Sequence, residues 1–599
     1  MKITFVDWLV VAAYFVVNLL IGLYYRRKAS TNTGEFFVSG REVSWWLAGT
    51  SMVAATFAAD TPLVVTGYVA TQGIAGNWIW WSFLFSGMMT VFFFARMWRR
   101  AEIITDVELV ELRYAGKPAA FLRGFRALYF GVLMNCLIVG WVNLAMEKIL
   151  GTALGVSELT AIGIIFAIIA LTSFYTFISG LWGVLWTDLI QFVLKMAMVT
   201  VLAYYAVEAV GGMHALMSKL AAVDVARRAA GGGAGSILDF VPDVNSPWMP
   251  ILLFCLYLGV QWWANWYPGA EPGGGGYVAQ RMFSAKDEKN SLGATLWFNI
   301  AHYGLRPWPW ILTALASVIL YPNLKDKEVG YIKVWVDYLP HAWSGLMLAA
   351  FAAAYMSTIA TQLNWGSSYL VNDFYRRFLV AGKPEKHYVN ASKLATAFLA
   401  VLGAVVSLFM TSVAGAWQLL LGVGAGTGAV YLLRWYWWRI NAWSEVSAMS
   451  AALLTTLGLN IKIGGHPIIN FSGSPPDVYA KTIFFTVAVT SAVWVAVTFL
   501  TKPEPQAKLL EFYRRVRPGQ SGWKPVAHLA PEIPDARDGW YNLMDWVLGC
   551  VLVYMVLFGS GKIIFGHVGL GLLFFAIGAV SGYLIYWDLS RRGWETLSH

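Results

Sequence analysis

The chain has 599 residues, of which 58% are hydrophobic and only 13% charged, with a formal net charge of +10. Soluble domains carry about 25% charged residues, so a string of soluble domains is excluded, and apolar runs recurring from Phe5 to Trp587 make the lipid bilayer the solvent. In such a chain a basic excess reports loops that hold orientation rather than nucleic-acid binding.

The first apolar run, residues 5–25, would form about 31 Å of helix. That is too long for the apolar core of a signal peptide, and it runs into Arg26-Arg27-Lys28 without a small-residue cleavage pattern. It reads as a retained first span. About fifteen spans are expected in all: 5–25, 43–70, 76–98, 119–150, 158–180, 184–210, 247–270, 292–321, 343–376, 388–411, 415–436, 441–463, 477–500, 538–558 and 567–589. Three cysteines, Cys136, Cys255 and Cys550, lie singly in these runs and read as small packing residues.

Loop charge sets the expected orientation. With the N-terminus outside, alternate loops at 26–28, 96–126, 281–289, 376–393 and 502–537, with Arg434/Arg439 and Arg591/Arg592, gather roughly 30 Lys and Arg inside against roughly 9 outside. The C-terminus is then cytoplasmic. Residues 211–246, outside, hold an amphipathic stretch and the run Gly231-Gly232-Gly233-Ala234-Gly235. Residues 501–537, inside, are polar and basic. Neither loop is large enough for an enzymatic domain, and no Ser/His/Asp arrangement, metal motif or phosphate loop is present, so no enzyme is expected.

Two spans carry breaks. Asp60-Thr61-Pro62 lies within the second span, where Asp or Thr suits an N-cap and Pro the first helical turn. One half-helix should end within 54–59 and another begin at Pro62. The seventh span runs into Pro268-Gly269-Ala270-Glu271-Pro272-Gly273-Gly274-Gly275-Gly276, which cannot stay helical. Open backbone at membrane depth is tolerated only where it faces protein or a wet cavity. With the N-terminal span set aside, the breaks fall in the first and sixth of the next ten spans. Matching interruptions in two halves of five spans point to an inverted-repeat transporter.

Charges inside the apolar runs mark the same places. Asp60, Asp188, Glu271, His302 and Arg306 are costly in lipid and should face a pathway or pair with one another, Glu271 with Arg306 or His302 being one structural pairing. In the span 343–376, Ser357 and Thr361 lie one turn apart with Thr358 beside them. Such hydroxyls either bond their own helix or give oxygens to a small hard cation. In the second case, carbonyls freed at the break near Ala54 and Phe57 would complete the shell.

At these residues the chain resembles the sodium:solute symporter family, over about residues 5–440. The resemblance rests on Glu35-Phe36-Phe37-Val38-Ser39-Gly40-Arg41 with Trp45-Trp46, on Trp186-Thr187-Asp188-Leu189-Ile190-Gln191, on Gln280-Arg281-Met282-Phe283-Ser284-Ala285-Lys286, and on Met356-Ser357-Thr358 with Gln362-Leu363-Asn364 and Asp373. It implies an all-α polytopic membrane protein with a ten-helix (5+5) inverted-repeat core at 41–440, in repeats 41–210 and 247–440. One extra helix (1–30) precedes the core, and about four (441–599) follow it. The resemblance also implies a Na+ site with carbonyl ligands Ala54, Phe57 and Ala354 and hydroxyl ligands Ser357 and Thr358. Asp188 and Thr361 match a second sodium site of some members, although Ala360 stands where a further hydroxyl is possible. At the positions of the substrate-binding Asn and Glu of sugar transporters stand Thr56 and Asp60, and His302 replaces a lysine. Trp263 and Trp266 offer rings for stacking beside Glu271, or simply pack.

The expected function is sodium-coupled symport of a small polar organic solute, such as a sugar, an amino acid or a carboxylate, into the cell across the inner (plasma) membrane. Proton coupling through Asp60, Glu271 and His302 is the nearest rival. A membrane solute sensor is a further one, against which weighs that no kinase-sized soluble region follows residue 589. The solute and the oligomeric state stay open.

Overall fold

The computed structural model describes residues 4–29, 39–103, 106–231, 235–246, 248–460, 462–463, 466–467, 469–534 and 538–593. Residues 35–38 of the first family motif and 232–234 of the glycine run lie outside the described residues, as do the side chains of Arg26, Arg27 and Lys28. The described chain is helical apart from loops and one small hairpin, Lys462–Ile463 with His466–Pro467.

The helices are α1 (Phe5–Ala29), α2 (Trp45–Thr56), α3 (Thr61–Gln72), α4 (Ile74–Ala101), α5 (Gly116–Leu154) and α6 (Glu158–Val210). There follow α7 (Ile251–Ala264), α8 (Gly276–Ser284), α9 (Glu288–Asn299), α10 (Pro307–Leu320), α11 (His341–Ser368) and α12 (Glu385–Ser407). The last six are α13 (Val413–Val423), α14 (Thr427–Tyr436), α15 (Ala442–Asn460), α16 (Pro475–Leu500), α17 (Gly539–Ile564) and α18 (Val568–Arg592).

Among the described residues, nine helices are long and apolar enough to cross a membrane, or ten when α2 and α3 count as one bent span. The other expected spans are helical too, but they are short, interrupted or, like α15, less apolar. The span expected at 292–321 is α9 and α10 with a π-helical stretch at Ile300–Leu305 between them. That expected at 415–436 is divided into α13 and α14 by a turn in which Gly426 takes φ 84°, a conformation glycine adopts without a Cβ penalty.

One boundary is corrected. The turn expected between 158–180 and 184–210 is helical instead: α6 continues for 53 residues, about 80 Å at 1.5 Å per residue, and carries both apolar stretches, Glu158–Thr172 and Leu181–Val210. Its middle, Gly180-Leu181-Trp182-Gly183, contains no proline, so nothing there blocks the i→i−4 ladder.

Burial separates a centre from a rim. The apolar stretches of α4, α5 and α11 are 78%, 78% and 83% buried, whereas those of α1, α12 and α18 are only 22–28% buried. With apolar residues facing outward all along them, the rim helices meet lipid. The loop after α16 is more ordered than its polar composition suggests. It forms a helix, Gln506–Val516, whose Phe512 packs with Trp523, and both rings cover the buried Arg113 guanidinium.

Candidate functional site

The two interruptions in the bundle meet around one cavity. Between α2 and α3 the chain turns by 62°. The first half-helix ends at Thr56 because no i→i−4 bond can form across Pro62, which lacks an N–H, and Asp60 stands at the N-cap of the second. Between α7 and α8 the run 265–275 is open chain. Its backbone is satisfied by the α13–α14 turn, where Trp266 N–H donates to Gly424 O (3.2 Å) and Gly426 N–H to Ala264 O (2.8 Å). On the other side Trp98 Nε1 donates to Gly273 O (2.7 Å). Backbone that would be untenable in lipid is thus paired within protein.

The cavity between the breaks is lined by Thr56, Asp60, Tyr267, His302, Arg306 and Trp417, with Thr358 and Gln362 of α11 on a further wall. Its volume is about 70 Å³, well below the roughly 300–1,000 Å³ of pockets that hold drug-sized ligands. A sugar-sized solute therefore requires the surrounding helices to part. Aromatic contacts close it: Tyr267 stacks on Phe83 at 5.2 Å and meets Trp417 at 5.6 Å, and Trp80 stacks on Tyr303 at 5.9 Å.

The polar groups form two sets on the same cavity, Thr56–His302–Arg306 and Asp60–Trp417. Thr56 Oγ1 lies 3.0 Å from His302 Nδ1, and Arg306 Nη1 donates to Thr56 Oγ1 at 3.2 Å. Arg306 Nη2 lies 3.1 Å from His302 Nε2, while its guanidinium sits over the Phe57 and Trp310 rings. Trp417 Nε1 donates to Asp60 Oδ2 at 3.1 Å. Asp60 Oδ1 and Arg306 Nε are buried without a hydrogen-bond partner. Two residues that line the cavity thus carry one acceptor and one donor with unused hydrogen-bonding capacity.

Of the residues expected to meet solute, Thr56, Asp60 and His302 share this cavity. Trp263 and Glu271 do not. Trp263 Nε1 donates to Gly259 O one turn back on its own helix. Glu271 turns into its own loop, where its Oε2 accepts from Gly269 N–H at 3.1 Å, and it lines a separate crevice with Asp106, Arg126 and Arg434. The expected pairing of Glu271 with Arg306 or His302 is absent as well; an open loop rich in glycine lets a carboxylate reach its own N–H groups first. Tyr267 and Trp417, which supply much of the wall, are not among the residues expected to bind solute.

The expected cation ligands are arranged unexpectedly. The carbonyls of Ala54 and Phe57 at the end of α2 accept hydrogen bonds from Lys195 Nζ of α6 at 2.9 and 3.1 Å, Ala54 O accepting Phe57 N–H (3.1 Å) as well. Ser357 Oγ donates to Asp188 Oδ1 (3.1 Å), and Thr358 Oγ1 donates to Ala354 O of its own helix (3.1 Å). Asp188 Oδ2 accepts from Ser51 Oγ at 2.6 Å and lies 3.7 Å from Arg281 Nη2. Asp188 therefore ties α2, α6, α8 and α11 together, with a guanidinium beside the carboxylate considered for a second sodium. Thr361 is half-buried one turn from Ser357.

The Sodium:solute symporter family model matches residues 36–454. The chain belongs to that family. Among its relatives, a sodium/glucose cotransporter of Vibrio parahaemolyticus is 26% identical, over 81% of this chain and 90% of the relative. A sodium/mannose cotransporter of Bos taurus is 24% identical, over 84% and 88%. The structure of a Na+-coupled sialic acid symporter in a substrate-bound outward-open state is similar in fold, with TM-score 0.63 and 19% identity over 84% of this chain and 99% of that one. The family member described here is accordingly an all-α, multi-pass protein of the plasma membrane, with an inverted-repeat core flanked by extra helices. Membership implies a symporter rather than an enzyme, with Na+ as the coupling ion and a small-molecule solute as cargo.

Proposed function

We propose that this symporter carries a small polar organic solute bearing both hydrogen-bond donors and acceptors, and binds it in the cavity between the two breaks. The observation that carries the proposal is the pairing of Asp60 Oδ1 and Arg306 Nε, buried and unpartnered, with the Thr56–His302–Arg306 cluster on one small cavity. The negative ends of half-helix dipoles suit a cation and the positive ends suit anionic solute groups. Here the C-terminal end of α2 presents its carbonyls and the N-terminal end of α3 opens beside the cavity.

In the proposed cycle, Na+ reaches the carbonyls of Ala54, Phe57 and Ala354 with the hydroxyls of Ser357 and Thr358. It ties α2 to α11 and favours the state that binds solute. The outer path then closes and the inner path opens. About 100 mV contributes 2.3 kcal/mol per charge, and a tenfold sodium gradient adds about 1.4 kcal/mol. Together they concentrate a neutral solute roughly 500-fold per sodium.

The test is a thermal-shift screen of purified protein against a solute library, in sodium or in choline. A hit should stabilise the wild type and lose its effect in Arg306→Ala. A hit that stabilises both alike binds elsewhere and rules out this cavity.

A further inference from the structure

We propose that the Lys195 ammonium is a tethered cation that competes with free sodium for the carbonyls of Ala54 and Phe57. This deepens the sodium-coupled reading and rests on it for the identity of the competitor. Lys195 is 1% exposed, and both its hydrogen bonds go to that carbonyl pair. Its Nζ also lies 5.0 Å from the centre of the Phe57 ring, so the ring face serves as a third wall. Both carbonyls can meet a cation because α2 ends there: Phe57 O has no backbone donor among the described residues, and Ala54 O, which accepts Phe57 N–H at 3.1 Å, keeps a second lone pair. Elsewhere in a membrane helix such oxygens are consumed by the i→i−4 ladder.

Geometry confines the competition to one site. Lys195, Phe57 and Ala354 line the same small crevice between α2, α6 and α11, so the ammonium lies between the break and the helix that carries Ser357 and Thr358. Seven residues earlier on the same face of α6, Asp188 is held by Ser51 and Ser357. An ammonium and Na+ are both monovalent cations satisfied by neutral oxygens. Two such charges a few ångströms apart in a water-poor interior repel strongly, so both cannot rest on one carbonyl pair. Sodium therefore enters only as Lys195 leaves, and Lys195 makes from α6 the tie to α2 that sodium would make from α11. The tether gives the ammonium a high effective concentration that external sodium must overcome.

The competition is read by titrating NaCl against choline chloride at constant ionic strength and pH, following the thermal midpoint of purified wild type, Lys195→Met, Lys195→Ala and Lys195→Arg. The two neutral variants should reach half-saturation at a sodium concentration at least tenfold below the wild type, whether or not the wild type responds measurably. Lys195→Arg, which keeps the charge, should stay with the wild type and shows that any change is not a general packing effect. Adding Thr358→Ala to Lys195→Ala should raise the half-saturating concentration again. Equal half-saturation in wild type and neutral variants overturns the proposal. So does an absence of any sodium response in neutral variants that remain monodisperse, or Lys195→Arg behaving like them. Wild-type uptake in sodium and in choline is measured alongside. If it is indifferent to sodium while the neutral variants bind sodium, competition stands and the sodium-coupled reading fails.

Discussion

Asp60→Asn keeps the shape of a side chain that is 2% exposed and removes its charge. In the wild type, Oδ2 accepts from Trp417 Nε1 at 3.1 Å and Oδ1 has no partner. A solute donor reaching Oδ1 would gain a hydrogen bond to a charged group, about 1.5–3 kcal/mol. At about 1.4 kcal/mol per decade, its loss corresponds to roughly a 10- to 150-fold weaker solute affinity. The solute-free protein should not suffer, because the Asn oxygen still accepts from Trp417 and a buried charge with one bare oxygen has been removed. The thermal midpoint without solute should therefore hold or rise. Isothermal titration with the solute found by screening reads the affinity. Affinity unchanged within twofold in a folded Asp60→Asn protein would refute the assignment of Oδ1 to the solute.

Trp417→Phe is expected to lower the thermal midpoint, since Asp60 then loses its remaining donor at a cost of about 1–3 kcal/mol. Arg592→Ala should cost about 3–5 kcal/mol, because Arg592 neutralises Asp545 (2.6 Å) and Asp588, two fully buried carboxylates that join α17 to α18. Solute affinity should survive in whatever fraction stays folded. Gly424→Ala would place a Cβ 2.7 Å from Trp266 O and 3.0 Å from Trp266 N. Forcing the α13–α14 turn off the open chain after α7 should cost about 1–3 kcal/mol by thermal unfolding. Ser357→Ala should raise the sodium concentration needed for half-maximal uptake about tenfold, as expected for loss of a single oxygen ligand; unchanged sodium dependence would remove Ser357 from the cation site.

Much of this architecture is local chemistry and so is legible in the chain. Pro62 after Asp60 and Thr61 stops one half-helix and starts the next: α2 ends at Thr56, within the expected 54–59, and α3 begins at Thr61, one residue before the expected Pro62. The Pro- and Gly-rich run at 268–276 cannot be helical, and α7 closes at Ala264 just before it. The grouping of Thr56, Asp60 and His302 was also readable, through the family motifs.

What escaped depends on distance in sequence. Lys195 is 141 positions from Ala54, and nothing in its own helix reveals that partner. The one local sign was a lysine two turns after Asp188 in an otherwise apolar run, which belonged with the other intramembrane charges. Trp417 reaches Asp60 across 357 positions, and indoles are too common in this chain for one to stand out. Glu271 misled because a charge at a helix break suggests a ligand site, whereas a loop with so many free N–H groups satisfies it internally. The helical junction between 180 and 184 was not expected, although no proline stands there to break it.

Sodium-driven passage of a polar solute through the cavity between the two helix breaks is tested most directly by uptake of the screened solute into proteoliposomes under an inward sodium gradient, compared with choline at the same pH. Accumulation should collapse when the gradient is dissipated and be lost in Arg306→Ala. Equal accumulation in choline, or full accumulation by a folded Arg306→Ala protein, would contradict sodium-driven passage by this route.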